Sequence, residues 1–255
     1  MTKNDSEYVQ TLARGLSVIR AFGPQHQNLT LTDVARRADL TRAAARRFLL
    51  TLKRLGYVKS DDGKYFSLQP QVLNLGYAYL SSIPWWDVAQ RYMEEVSAAV
   101  EESCSAAVLD GGDIVYVARV ATRRIMTMTI AIGSRMPAYA TSMGRVLLAY
   151  QEPERLDAYL ESTNFERITD KTVIQKAALK KILMEVRQQG YCVIDQELED
   201  GVRSIAVPLF DRKGKCQAAI NVGTHVARVP KVKLMNTVLP ALLGASKKIT
   251  AAWPQ

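Results

Sequence analysis

Three arginines carry the clearest chemistry in this chain. Arg42, Arg46 and Arg47 stand in the stretch RAAARRFLLTLKRLG, with Arg42 and Arg46 one helical turn apart. A guanidinium grips guanine O6 and N7, or a phosphate, through two parallel hydrogen bonds, so arginines on a helix face suit reading of the DNA major groove. Ala43 and Ala44 between them carry only methyl groups and let the backbone approach closely. Lys53 and Arg54 follow in the same stretch, and Lys59 and Lys64 stand just beyond it, where they can touch phosphates or the minor groove. Contacts of that kind position a protein without specifying a base sequence. An amphipathic helix also exposes charges opposite its apolar stripe, so the arginines alone fit a solvated face equally well.

The rest of the chain offers little for catalysis. His26 and His225 have no GxSxG or comparable nucleophile motif around them, and Gly111-Gly112 in DGGD suits a hairpin turn better than a phosphate loop. The three cysteines, Cys104, Cys192 and Cys216, are odd in number, far apart and set in apolar surroundings, which points to buried free thiols. The sequence therefore implies no enzyme, no cofactor and no metal. Of a net charge of +9, residues 1–82 carry +6 and residues 83–255 only +3. That local excess favours a polyanionic partner, although a solvated basic face is the plainer account. No apolar run is long enough to cross a bilayer, and MTKNDSEYVQ lacks the layout of a signal peptide, so no membrane contact and a cytoplasmic location are expected.

The elements that must hold the arginines can be read from periodicity. Val9, Leu12, Ala13, Leu16, Ile19 and Phe22 recur at helical spacing until Gly23-Pro24. Thr30 or Thr32 can cap a short second helix through Ala38, with Asp33 against its positive end. DLT at 39–41 breaks it, and Thr41 offers a hydroxyl cap to the arginine-bearing helix, whose stripe is Ala45, Phe48, Leu49, Leu52 and Leu55. Strand formers at 57–60 and 65–68 flank Asp62-Gly63, a tight-turn dipeptide. Helix, helix-turn-helix and hairpin in this order make a winged helix-turn-helix domain over 1–69. This context tips the arginines towards DNA. Pro70 opens a linker helix over 70–84 with Val72, Leu75, Gly76 and Tyr79 on one face, suited to pairing with a second copy or to ordinary core. Residues 85–255 then read as an α+β domain. It has helices near 86–102, 142–150, 153–161, 174–189 and 230–253, and strands near 104–109, 114–120, 125–132, 191–195, 204–210 and 216–222.

LARGLSVIRAF, LTLTDVARRADLTRAAARRFLLTLKRLGYV and IGSRMPAYATSMGRVLLA together resemble the IclR family of bacterial transcriptional regulators over essentially the whole chain. LNLGYAYLSS and the neighbouring strings are most similar to its branch controlling breakdown of protocatechuate and 4-hydroxybenzoate through the β-ketoadipate pathway. The resemblance implies a GAF-like effector domain with an antiparallel sheet flanked by helices, a small organic acid as ligand, double-stranded operator DNA as partner, and assembly as a dimer or tetramer, with RNA polymerase a further partner. Carried over position by position, the family's effector site falls on Ser142, Met143, Gly144, Asp195, Ser204 and Asn221.

These positions make physical sense. A helix starting near Thr141 and Ser142 presents unpaired N–H groups that can hold a carboxylate, and plain capping coexists with that use. Asp195 would repel an acid unless it meets a hydroxyl or a cation, for which Arg135 and Arg203 are nearest in sequence; the other carboxylates of DQELED read as a solvated turn. Met126 and Tyr139 would suit an aromatic or longer acid, or simple packing. Asn221 and Gly223 stand where some family members place hydroxyls, which leaves the acid's identity open. The expected function is a regulator sensing an aromatic-catabolism acid. Control of another carbon source, or a DNA-architectural protein that senses nothing, are the competing expectations.

Overall fold

Three threonine hydroxyls start three of the helices. Thr30 Oγ1 accepts from the Asp33 N–H at 3.2 Å while Asp33 Oδ2 accepts from the Thr30 N–H at 3.3 Å, a reciprocal capping box. Thr41 Oγ1 accepts from Ala44 N at 3.2 Å, and Thr141 Oγ1 from Gly144 N at 3.1 Å. The computed structural model describes residues 7–122 and 130–253. Its contacts divide the chain into two compact units, Met1–Ser82 and Ile83–Gln255.

In the first unit, α1 (Gln10–Arg20), α2 (Leu31–Arg37) and α3 (Arg42–Arg54) enclose a small core in which Val18, Val34, Ala45 and Leu49 are fully buried. Burying a leucine or valine of this kind contributes about 1.5–3 kcal/mol. Asp39, in the left-handed region at φ +52°, turns the chain between α2 and α3. Leu55, expected in the apolar stripe of α3, lies just past the end of that helix and is 58% exposed. The wing is a three-stranded antiparallel sheet in the order β1 (Leu29–Thr30), β3 (Tyr65–Leu68), β2 (Val58–Lys59). β1, two residues long, is too short to show in the sequence. The turn is longer than the expected two residues: Asp62 Oδ1 accepts from the N–H groups of Lys64 at 2.8 Å and Tyr65 at 2.9 Å, with Gly63 at φ +70°. A 3₁₀ turn, Pro70–Val72, then leads into α4 (Leu73–Ser81), in which no residue is buried.

The second unit is built on one six-stranded, fully antiparallel sheet. Its order is β6 (Arg135–Pro137), β5 (Asp113–Val120), β4 (Ser103–Asp110), β9 (Cys216–His225), β8 (Val202–Phe210), β7 (Cys192–Asp195). Gly111, at φ +61°, makes the expected turn between β4 and β5. One face packs on α5 (Trp86–Val100) and α10 (Leu239–Ala251), which follows a short α9 (Lys231–Lys233) and a π-helical turn at Leu234–Val238. The opposite, inner face carries Ala107, Tyr116, Ile194, Ala206 and Ala219 into a core closed by α6 (Ser142–Ala149), α7 (Pro153–Ser162) and α8 (Lys176–Gln189). This is the expected α+β architecture. The strand expected at 125–132 lies mostly outside the described residues, and the edge strand β6, three residues long, is too short to show in the sequence.

One irregularity matters for the site. Across β4 and β5, Ser105 pairs with Arg119 and Ala106 with Ala118, but Ala107 pairs with Tyr116, so Val117 is an extra residue in β5. The bulge brings Tyr116 and Arg119, three apart, to the same inner face, where an unbroken strand would separate them. The three cysteines are buried free thiols, as expected, and burial pushes each to about 12.

Thr30→Ala, which removes the hydroxyl half of the capping box and leaves the backbone N–H to Asp33, should destabilise the first unit by about 1 kcal/mol, and Thr30→Ser should restore most of it. Denaturant unfolding followed by circular dichroism checks this, with equal midpoints for Ala and Ser counting against the cap.

Candidate functional site

The first site is the exposed side of α3. Thr41, Arg42, Ala43, Arg46 and Arg47 all face solvent there. Among the described residues, the three guanidiniums have no hydrogen-bond or ion-pair partner, so they remain available to an anion. Lys59 and Lys64 are exposed on the wing, Lys64 with its ammonium 5.4 Å from the centre of the Tyr65 ring. Lys53 departs from expectation: its ammonium donates to the Ser60 carbonyl at 2.7 Å and braces the base of the wing.

The second site is a cavity over the inner face of the six-stranded sheet, enclosing about 620 Å³ of empty space with its mouth included. Strand pairing lays its polar groups out in rows. Arg119, Ser105 and Asn221 are direct neighbours across β5, β4 and β9, and Ser103, Gly223 and Ser204 form the next row across β4, β9 and β8. Gly223 adds no side chain and keeps the middle of that row open. Arg119 donates to Ser105 Oγ at 3.3 Å and has no carboxylate partner among the described residues. Tyr116, whose phenol burial pushes up to about 12 against the pull of Arg119, stays a neutral hydroxyl.

The cavity also meets the start of α6. Thr141 and Ser142 line it, and the buried Ser142 Oγ has no hydrogen-bond partner among the described residues. An orphan hydroxyl beside the open N–H groups of a helix start fits a polar ligand atom. Leu198 and Glu199, from the connection between β7 and β8, form a further wall.

Of the residues carried over as an effector site, Ser142, Ser204 and Asn221 come together at this cavity and Thr141 joins them, whereas the others do not line it. Met143 turns into the apolar core. Gly144 is packed so closely that an added Cβ would collide with the Ala138 backbone and Thr141 Oγ1. Asp195 and Arg203 each sit one residue from a cavity residue, Ile194 and Ser204, so strand alternation sends them to the opposite face. There they pair directly, Arg203 Nη2 to Asp195 Oδ2 at 3.0 Å, with Lys231 also 3.0 Å from that oxygen. Burial opposes ionisation of Asp195, but hydrogen bonds and charges from Arg203 and Lys231 outweigh it and hold the carboxyl below the usual range. Arg135 is taken up by Asp110 at 2.6 Å and Asp113 at 3.2 Å on an exposed edge. Tyr139 spends its hydroxyl on the backbone of Glu166, donating to its carbonyl at 2.9 Å and accepting from its N–H at 3.0 Å. Met126 lies outside the described residues.

Sequence reasoning missed Arg119 as the cation, although a lone arginine inside the apolar run DIVYVARV was a visible signal. Glu197, read as part of a solvated turn, is in fact buried against Arg145.

A winged reading domain joined to a sheet domain with a polar-floored cavity defines a ligand-responsive DNA-binding regulator. The family model for the IclR helix-turn-helix domain matches residues 11–62, and that for the bacterial transcriptional regulator IclR C-terminal matches residues 77–251. The chain belongs to the IclR family of transcriptional regulators. It is 45% identical to the Pca regulon regulatory protein of Pseudomonas putida over 96% of this chain and 84% of that one. A solved chain from Rhodococcus sp. RHA1 is similar at 51% identity and TM-score 0.86, covering 96% of this chain and 98% of its own. An IclR homologue from Microbacterium hydrocarbonoxydans, solved in complex with 4-hydroxybenzoate, is similar at 25% identity and TM-score 0.83, covering 94% and 98%. These similarities are to regulators, in keeping with a chain that is no enzyme. No helix among the described residues is long and apolar enough to cross a membrane.

Gly144→Ala should cost roughly 1–3 kcal/mol through overpacking against backbone that cannot yield. Thermal unfolding of the full chain measures it, and an unchanged melting temperature would show that the α6 start has room to spare.

Proposed function

We propose that this regulator senses a small organic acid of aromatic catabolism in the cavity over the inner sheet face and couples its occupancy to operator binding. The observation that carries the reading is Arg119, a guanidinium without a carboxylate partner among the described residues, facing a largely apolar cavity whose other wall is the start of α6 with the orphan Ser142 hydroxyl. A carboxylate fits against Arg119 through a two-pronged, charge-assisted hydrogen bond. The far end of the acid, a ring hydroxyl or a second carboxylate, fits the α6 start and the Ser204 and Asn221 side chains. The Pca regulon regulatory protein among its relatives and the complex of an IclR homologue with 4-hydroxybenzoate support this class of acid. The effector residues in this reading are Arg119, Ser142, Ser204 and Asn221.

On the DNA side, α3 enters the major groove with Arg42 or Arg46 on a base edge and Arg47, Lys59 and Lys64 on the backbone. Residues 1–69 form the DNA-binding domain, 70–84 the linker, and 85–255 the effector domain. Leu73, Leu75 and Tyr77 of α4 are each at least half exposed, as are Val9 at the start of α1 and Leu12 within it. Such apolar surface fits a second copy, giving a homodimer or a tetramer built from two dimers.

Protocatechuate, 4-hydroxybenzoate and β-ketoadipate should be titrated against the full chain by calorimetry. At least one should bind, and Arg119→Met should weaken it about 100-fold while leaving acid-free melting unchanged. Binding by none of the three to the unaltered chain would remove the sensing reading. In operator titrations, Arg42→Ala or Arg46→Ala should cost about 1–3 kcal/mol and relax base preference, whereas Lys64→Ala should weaken all sequences alike and flatten the salt dependence. Operator affinities equal to the unaltered chain for all three would place the groove contact elsewhere.

A further inference from the structure

Arg145 stands one turn beyond Ser142 on α6, yet it does not line the cavity. Its guanidinium, 2% exposed, is fully engaged in the interior. Nε donates to the Tyr139 carbonyl at 2.7 Å, and Nη1 and Nη2 donate to the two oxygens of Glu197 at 2.8 and 2.5 Å. Glu197 belongs to the connection between β7 and β8, and its next two neighbours, Leu198 and Glu199, form a cavity wall. The same carboxylate accepts from the Val173 N–H at 3.0 Å, and the Glu197 carbonyl accepts from Thr172 Oγ1 at 2.7 Å.

That connection is not one the chain adopts readily. It is bounded by two left-handed residues, Gln196 at φ +64° and Gly201 at φ +78°. Gln196 carries a Cβ that disfavours this conformation, so something must hold it. The Gln196 side chain accepts from Gly201 N at 3.2 Å and closes the loop on itself, and Thr169 Oγ1 donates to the Gln196 carbonyl at 2.8 Å, but among the described residues only Glu197 hydrogen-bonds the connection to α6.

A buried ion pair of this kind is a poor source of stability. Desolvation of both charges offsets most of their attraction, and an apolar pair of similar volume is often as stable or more so. What the fork and carboxylate supply is fixed geometry, two parallel bonds that allow one separation and one orientation. We propose that Arg145 and Glu197 are positioning residues of the effector cavity. They set the distance between the α6 start and the 196–201 connection, and so govern acid affinity without touching the acid. The inference deepens the sensing reading above and rests on it for its ligand.

The test is the double variant Arg145→Met/Glu197→Met in the full chain, with Arg145→Lys beside it. The double variant should fold and bind operator without acid within about two-fold of the unaltered chain. Its amide hydrogen exchange at 196–201 and 139–144 should speed up about ten-fold or more, with α10 unaffected. Whichever of protocatechuate, 4-hydroxybenzoate or β-ketoadipate binds the unaltered chain should bind it about ten-fold more weakly. Arg145→Lys keeps the charge and loses the fork, and should match the double variant. Unchanged exchange at 196–201, acid affinity within two-fold, or a lysine variant that behaves like the unaltered chain would each overturn the proposal. So would a double variant that fails to fold, since the pair would then serve the fold and not the cavity. If no acid binds the unaltered chain the sensing reading fails, while the exchange comparison still decides the positioning claim.

Discussion

An extra residue in one strand decides what the effector domain can hold. Val117 is unmatched in the pairing of β4 with β5, and on either side of it the strand keeps Tyr116 and Arg119 turned to the same face. Remove the bulge and strand alternation would send one of them to the opposite face. The cavity would then lose either its phenol or its guanidinium. The rest of the site is ordinary antiparallel geometry: rows of facing residues across β5, β4, β9 and β8, roofed by the start of α6.

The charges of this domain sort accordingly. Arg135, Arg145, Arg203 and Arg228 each have a carboxylate within 3.2 Å, provided by Asp110, Glu197, Asp195 and Glu102. Arg119 has none among the described residues and faces a cavity instead. Arg155, Arg167, Arg187 and Arg212 also lack a carboxylate partner among the described residues but lie exposed, whereas Arg119 is half-buried at the cavity, where an external anion can meet it. The paired arginines hold elements together. Arg203 clamps β8 to β7, and Arg145 ties α6 to the connection beyond β7.

Much of this organisation was legible in the residues. Helix starts at Thr30 and Thr41, the arginine-bearing face of α3, the wing and the α+β second unit follow from spacing and capping alone, because those signals are local. What failed was face assignment in the second unit. The resemblance puts Asp195 at the ligand, and nearness in sequence makes Arg203 a candidate cation beside it. A strand, however, puts neighbours on opposite sides, and only the pairing of β7 with β8 shows that the two charges satisfy each other. Arg119 was overlooked for a related reason: its direction depends on a bulge, and a bulge is a property of two strands read together. Glu197 looked like one more carboxylate of a solvated turn until Arg145, 52 residues earlier, was found against it.

A crystal structure of the full chain with a bound aromatic-pathway acid tests the central claim most directly. The account predicts the acid over the inner sheet face, its carboxylate within hydrogen-bonding reach of the Arg119 guanidinium and its other polar end near the start of α6. An acid seated instead against Asp195 and Arg203 on the opposite face, or one in the cavity with its carboxylate turned away from Arg119, would contradict it.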